Sequence, residues 1–322
     1  MAIEKTYSRE LTLAQLRACL AVARTGSFSA AALDLDMSQA SVSYAVAQAE
    51  QALGLKLFRR GAFGARLTDE GERIRKQAVK LLRTEEVLLQ EAELMKGTLS
   101  GVVRVAGFPS IAQYLLPPVM KRLRESHPGL EIRPVEVDTD SGDVLLNSMD
   151  VLRALEAGQA ELGLVVAKLS DEFIHWKLFD DPFVVCIPAA LDRDELTWED
   201  LRELPVIAYG KDWRDGCVLG VKYVLEMYGA TEPAYQAQET GMILNMIAQG
   251  LGFSVLPKLT LDTLPKGVAA VSLKVPRART ASIAVPPELL GAPTVKQVLT
   301  LLRARLPNSE LPPFSALSTI PG

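Results

Sequence analysis

Few residues in this chain have obvious chemical potential. Three cysteines, Cys19, Cys186 and Cys217, and two histidines, His127 and His175, are scattered through 322 residues with no C-x-x-C spacing. That excludes a disulfide framework, speaks against a structural zinc site and fits a reducing compartment. No G-x-S-x-G, Walker loop, H-E-x-x-H or paired catalytic histidines occur, so an enzyme has no anchor here and no metal or cofactor is implied. Two residues stand out by position. Asp215-Gly216-Cys217 opens a predicted helix, where the free N–H groups would draw the thiol towards thiolate; an ordinary buried thiol is the alternative. Ser110 follows a predicted strand, stands behind Pro109 and opens a helix whose N-terminus favours an anion; plain N-capping is its alternative.

The elements that must position these residues fall into two textures. From Leu13 to Arg24, Leu13, Leu16, Leu20 and Ala23 form a helical stripe, and Gly26 stops it. Ser27 or Ser29 then caps a short alanine-rich helix ending at Leu35, and Ser38 caps another that runs to Leu53 with Gly54 beyond it. This is the outline of a helix-turn-helix. Leu55 to Leu67 reads as a Gly-tipped hairpin carrying Arg59, Arg60 and Arg66, which suits a wing along a phosphate backbone. Thr68 caps a long helix whose seam of Ile74, Ala78, Leu81, Leu88 and Ala92, with polar Glu85 among them, predicts dimerisation. Packing of that stripe on its own domain is the alternative.

After Gly97 strands and helices alternate: strands at 102–106, 130–137 and 162–166 with helices at 111–124 and 144–156, then strands at 183–187, 206–209 and 253–256 with helices at 218–228 and 242–249. Such alternation predicts parallel sheets in two subdomains with a cleft between them. Ligands gather at the carboxyl ends of strands, so Tyr209, ending one strand, and Thr240, opening a helix, are candidates for the wall facing Ser110.

The runs Leu16 to Ala23, Gly26-Ser27-Phe28-Ser29-Ala30-Ala31-Ala32 and Met37-Ser38-Gln39-Ala40-Ser41-Val42-Ser43 closely resemble the DNA-binding signature of LysR-type transcriptional regulators. The resemblance continues through Glu50, Leu53-Gly54, Leu57-Phe58-Arg59-Arg60 and Leu67-Thr68-Asp69-Glu70-Gly71. Weaker echoes of the family's effector domain follow at Gly107-Phe108-Pro109-Ser110, Leu116-Pro117-Pro118, His127-Pro128-Gly129 and Gly250-Leu251-Gly252-Phe253. The resemblance implies a winged helix-turn-helix, a linker helix and two Rossmann-like halves hinged by two crossovers. It also places Thr139 opposite Ser110, and Cys217 at the reactive cysteine of the family's peroxide-sensing branch, although the second cysteine of that branch has no counterpart nearby. A further departure lies in the helix after Ser38, which has no basic residue before Gly54 where the family usually has one.

The expected organisation is therefore a DNA-binding domain over 1–67, a dimerisation helix over 68–97, and an effector-binding domain over 98–310. The last divides into 98–168 with 273–310, and 169–272, and a disordered tail covers 311–322. Base and phosphate contacts fall to Ser27, Ser29, Ser38, Gln39, Ser41, Ser43 and Tyr44, with the three arginines of the wing. Charge agrees in sign: residues 1–99 hold 14 Lys and Arg against 12 Asp and Glu, and the remainder 21 against 27. The expected partners are double-stranded DNA, a small-molecule effector, further copies of the chain as a dimer or tetramer, and RNA polymerase, in the cytoplasm. The N-terminus, Met1 to Glu10, mixes charges without an apolar core, and no stretch offers the ~20 apolar residues of a membrane span. A solute-binding protein without a transcriptional role is the competing reading, and the first 96 residues speak against it.

Overall fold

A computed structural model describes residues 10–61, 64–137, 148–166, 172–191, 201–202, 204–210, 232–261, 263–272 and 278–311. The chain divides into two compact units. One contains residues 1–99 together with 156–159 and 288–293, and the other holds the rest.

In the first unit three helices, α1 (Leu13–Thr25), α2 (Phe28–Asp34) and α3 (Gln39–Leu53), precede a two-stranded antiparallel hairpin of β1 (Phe58–Gly61) and β2 (Gly64–Leu67). Local chemistry sets each boundary. Thr12 and Gln15 form a reciprocal capping box at the start of α1, while Gly26 and Gly54 adopt left-handed conformations that end α1 and α3. Ser27 rather than Ser29 caps α2, accepting from the Ala30 N–H, and Ser38 caps α3, accepting from Ser41. Small residues let the three helices approach closely: Ala18, Ala21, Val22, Ala31, Val42, Val46 and Ala49 form one core, closed by Leu57 and Phe58 from the hairpin.

Thr68 then caps the 27-residue α4 (Asp69–Met95), accepting from Gly71 and donating to the Lys56 carbonyl. The first half of α4 is committed within this unit. Ile74 packs on the three-helix core, Ala78 is buried, Val79 meets Gly158, and Arg83 pairs with Glu288 at 2.8 Å. Polar Glu85 is paired with Arg17 of α1 at 2.6 Å.

The second unit is built on a seven-stranded sheet of spatial order β10-β6-β11-β5-β3-β4, with β9 also on β6. Its strands are β3 (Gly101–Gly107), β4 (Leu130–Val135), β5 (Leu162–Val165), β6 (Ile174–Pro188), β9 (Ser254–Pro257), β10 (Val268–Ser272) and β11 (Ala278–Val285). Helix α5 (Pro109–Ser126) packs against β4 and buries Ile111, Leu115, Val119 and Leu123. Helix α6 (Ser148–Glu156) lies between β4 and β5 in the chain. A separate parallel pair, β7 (Ile207–Tyr209) with β8 (Tyr235–Ala237), leads into α7 (Thr240–Ala248), and α8 (Pro293–Arg305) follows β11.

Among the described residues the expected parallel pairing is seen for β3 with β4 and β5, for β7 with β8, and at the isolated bridge between Val206 and Phe253. In the seven-stranded sheet β11 runs antiparallel to both β5 and β6, and β9 and β10 run antiparallel to β6. The cause is β6. Its 15 residues begin nine before the predicted 183–187, so one strand pairs first with β11 and then with β9 and β10. Strands β8, β10 and β11 and helix α8 add to the elements read from sequence. The predicted helix 218–228 and the start of the helix at 144–156 lie outside the described residues. So do residues 312–322 of the expected tail, whereas Leu311 is buried. Among the described residues no helix is long and apolar enough to cross a membrane.

Candidate nucleic-acid interface and effector pocket

The exposed end of α3 carries the residues singled out for base contact. Ser38, Gln39, Ser41 and Tyr44 are exposed, Tyr44 to 67%, while Val42 and Val46 on the opposite face are fully buried. An aromatic side chain so exposed gains nothing from the core, and it stands on the same helical face as Ala40, Ala47 and Gln51. Ser38 is partly occupied: its Oγ lies 2.8 Å from the Ser41 Oγ besides capping the helix. Ser43 is half-buried, as is Ser27, whose hydroxyl serves as the α2 cap; Ser29 is exposed.

In the wing, the register sets Arg59 directly opposite Arg66, so two exposed cations share one face of the hairpin. Like charges placed so repel. Among the described residues no carboxylate pairs with either, and both stay in contact with solvent. Arg60 faces Ala65 in the backbone register.

The corner beneath the wing is held by a carboxylate. Glu50, at the end of α3, accepts from the Leu57 and Phe58 N–H groups at 2.8 and 3.3 Å and from Lys56 Nζ at 2.6 Å. Burial pushes its pKa up, but the bonds from Lys56, Leu57 and Phe58 and the Lys56 charge outweigh this and hold it below the usual glutamate value.

On the second unit, Ser110 is half-buried in the first turn of α5 but does not cap it; the N-cap position is Phe108 and carries no side-chain bond. Instead the Ser110 Oγ accepts from Arg279 Nη2 at 2.7 Å, and Arg279 Nε bonds Asp181 at 2.8 Å. Asp181 and Arg279, both buried, were not legible as site residues. No local signal marked them, since β6 also carries His175, Lys177 and Asp180, and β11 also carries Thr280 and Ser282. Tyr209 and Thr240 come to one edge, at the carboxyl ends of β7 and β8. There a cavity of about 510 Å³ is lined by Gly210, Tyr235, Glu239, Met242 and Met246. That volume suits a small organic ligand. Thr139 and Cys217 lie outside the described residues. Cys19 and Cys186 are buried, and burial pushes each thiol up to about 12, so neither supplies a thiolate near neutral pH. Among the described residues no cluster of metal-ligating side chains occurs.

A winged helix-turn-helix followed by an α/β unit around a mixed sheet defines a DNA-binding regulator with a sensing domain. Residues 13–72 match the bacterial regulatory helix-turn-helix protein, lysR family, and residues 96–307 match the LysR substrate binding domain. The chain belongs to the LysR family of transcriptional regulators. It is 35% identical over 305 residues to a probable HTH-type transcriptional regulator, LrrA, of Synechococcus elongatus, covering 92% of this chain and 98% of that one. A probable hydrogen peroxide-inducible genes activator of Streptomyces viridosporus is 30% identical over 257 residues, 77% of this chain and 78% of the other. Among solved structures, a full-length OxyR variant of Pseudomonas aeruginosa shares the fold with a TM-score of 0.70 at 23% identity, over 91% of this chain and 95% of that one. Full-length BenM aligns with a TM-score of 0.52, also at 23% identity, over 91% and 96%.

Proposed function

We propose that this regulator reads a two-fold symmetric DNA site as an oligomer, and that a small molecule bound in its α/β domain shifts the geometry with which it does so. The exposed face of α3, backed by a wing with two unpaired arginines, carries the DNA part of the reading. Gln39 at the helix start and Tyr44 one turn on reach base edges, while Arg59 and Arg66, with Arg60, neutralise phosphate. RNA polymerase is the expected partner at the promoter.

These roles separate by salt and sequence. Arg59→Ala and Arg66→Ala should weaken binding to specific and random DNA alike and flatten the log K against log salt slope by about 1 each. Gln39→Ala and Tyr44→Ala should instead cost roughly 1–3 kcal/mol on the specific site alone. Equal losses on both DNAs for all four variants would remove the distinction. Repeating the titration after peroxide treatment, with Cys217→Ser alongside, tests a second reading favoured by the peroxide-inducible relative: oxidation of Cys217 would change wild-type binding and leave the variant unchanged.

Pairing of two chains rests on the outer half of α4. Leu81, Leu88 and Leu89 are exposed by 49%, 69% and 57%, and Ala92 and Met95 extend the stripe, whereas Ala78 is already taken by packing within its own unit. A solitary helix would leave this stripe in water. Leu88→Glu, alone or with Leu81→Glu, should yield monomers in sedimentation and abolish high-affinity operator binding; an unchanged mass would refute pairing through this face.

In this reading the effector binds at the carboxyl ends of β7 and β8, in the cavity lined by Gly210 and Glu239, the chain neighbours of Tyr209 and Thr240, and by two methionines. Ser110 is the contact on the opposing half, with Thr139 opposite it by family resemblance.

A further inference from the structure

The long strand β6 changes partners at one point. Up to Pro182 it pairs with β11, and from Phe183 it pairs with β9, with β10 on its other edge from Val184. Pro182 has no N–H to give the ladder. Asp181 stands immediately before this crossing, opposite Arg279 of β11. Its two carboxylate oxygens are divided between the halves. Oδ2 accepts from Arg279 Nε at 2.8 Å, and Oδ1 accepts from the Leu259 N–H at 3.0 Å, in the turn that follows β9. Arg279 reaches on to Ser110 at 2.7 Å. The turn Lys258–Thr260 packs against α5, which Ser110 opens.

We propose that Asp181 and Arg279 form a buried latch at the hinge of the sensing domain, holding its two halves at one set angle; the proposal rests on the effector-controlled reading above. A charged pair only 1% and 7% exposed is a poor way to gain stability, because two apolar residues of similar volume would hold the strands as well or better. What the pair adds is direction. The guanidinium fork binds two partners at a fixed angle, which an ammonium group cannot do. Of the three side chains in this chain of bonds, Asp181 and Arg279 are buried and Ser110 is half-exposed, so a ligand engaging Ser110 draws on Arg279, then on Asp181, and so on the other half. Two arrangements of such a pair give a hinge two states that a ligand can bias.

The test uses full-length protein without added ligand on the DNA upstream of its own gene. Footprint length and bend angle are read for the wild type, Asp181→Asn and Arg279→Lys. Asp180→Asn is the control, since Asp180 sits next in sequence and is bound only at the surface, by Thr280 and Lys177. The latch predicts a changed footprint length and a shifted bend for the first two variants and wild-type values for the control. A folded Asp181→Asn protein with wild-type footprint and bend overturns it, even if its melting temperature has dropped, and so does an equal shift in Asp180→Asn. Should Asp181→Asn fail to fold, Arg279→Lys decides by the same criteria; should both fail, Ser110→Ala does, since it removes only the outermost bond. A wild-type protein that protects no DNA would strike the regulator reading itself.

Discussion

Gly71→Ala is expected to destabilise the DNA-binding unit by roughly 2 kcal/mol or more, although alanine is the better helix former by about 1 kcal/mol. Gly71 lies in the first turn of α4, where a Cβ would fall 2.2 Å from the Leu57 carbonyl oxygen and 3.1 Å from the Leu67 side chain. The first neighbour is backbone and cannot rotate away. It is also pinned, since the Leu57 N–H is bound by Glu50 and its carbonyl accepts the Thr68 N–H at 2.9 Å. Relief must therefore come from displacing α4 relative to the wing, and the arginines of the wing move with it. Chemical denaturation of the variant and a titration of operator DNA check both halves of the expectation. An unchanged or raised stability would mean that α4 and the wing do not meet as described.

Glu50→Ala is expected to cost about 2–4 kcal/mol, because it strands two N–H groups at positions 2% and 8% exposed. Glu50→Gln should cost less, since an amide oxygen can still accept while the Lys56 charge loses its partner. Neither variant titrates at this position, so the linked pH dependence belongs to the wild type alone. With a folded-state pKa below the ordinary value, Glu50 contributes stability that is fully present above the unfolded carboxylate pKa and is lost as pH falls through the folded one. The stability gap between wild type and Glu50→Gln should thus be full at neutral pH and close in acid. Urea unfolding at stepped pH values measures it, and a gap that stays constant or widens in acid contradicts the assigned role.

The DNA-binding unit was legible because its boundaries are set locally. A serine that caps and a glycine that turns left-handed act within a few residues of themselves, so Ser27, Ser38, Thr68, Gly26 and Gly54 announce their roles in the sequence. The seam of α4 was legible only as a stripe. Periodicity shows that Ala78 and Leu88 share a face but not that packing within the unit takes the first and leaves the second exposed. In the sensing domain the sheet order depends on pairings between distant segments. Nothing in Ala278–Val285 states that this strand inserts antiparallel between β5 and β6. The first half of β6 is hidden by Asp180 and Asp181, which break the apolar pattern; one of them is buried because its partner lies 98 residues away. Helix α8 did carry a readable stripe in Val295, Val298, Leu299 and Leu302. The sequence marks Ser110 only by its place after a strand, and its bond from Arg279 depends on a long-range register that local pattern does not encode.

The most direct test of the central claim is footprinting of the purified full-length protein on the DNA upstream of its own gene, at about 0.15 M salt because phosphate contacts make affinity uninterpretable without a stated salt. Two protected half-sites related by two-fold symmetry and spaced by whole helical turns of ~10.5 base pairs are predicted, and they should vanish together in the Leu81→Glu, Leu88→Glu double variant. Protection that is unsymmetric, or absent both there and across genomic fragments, would contradict a paired regulator reading DNA through α3 and the wing.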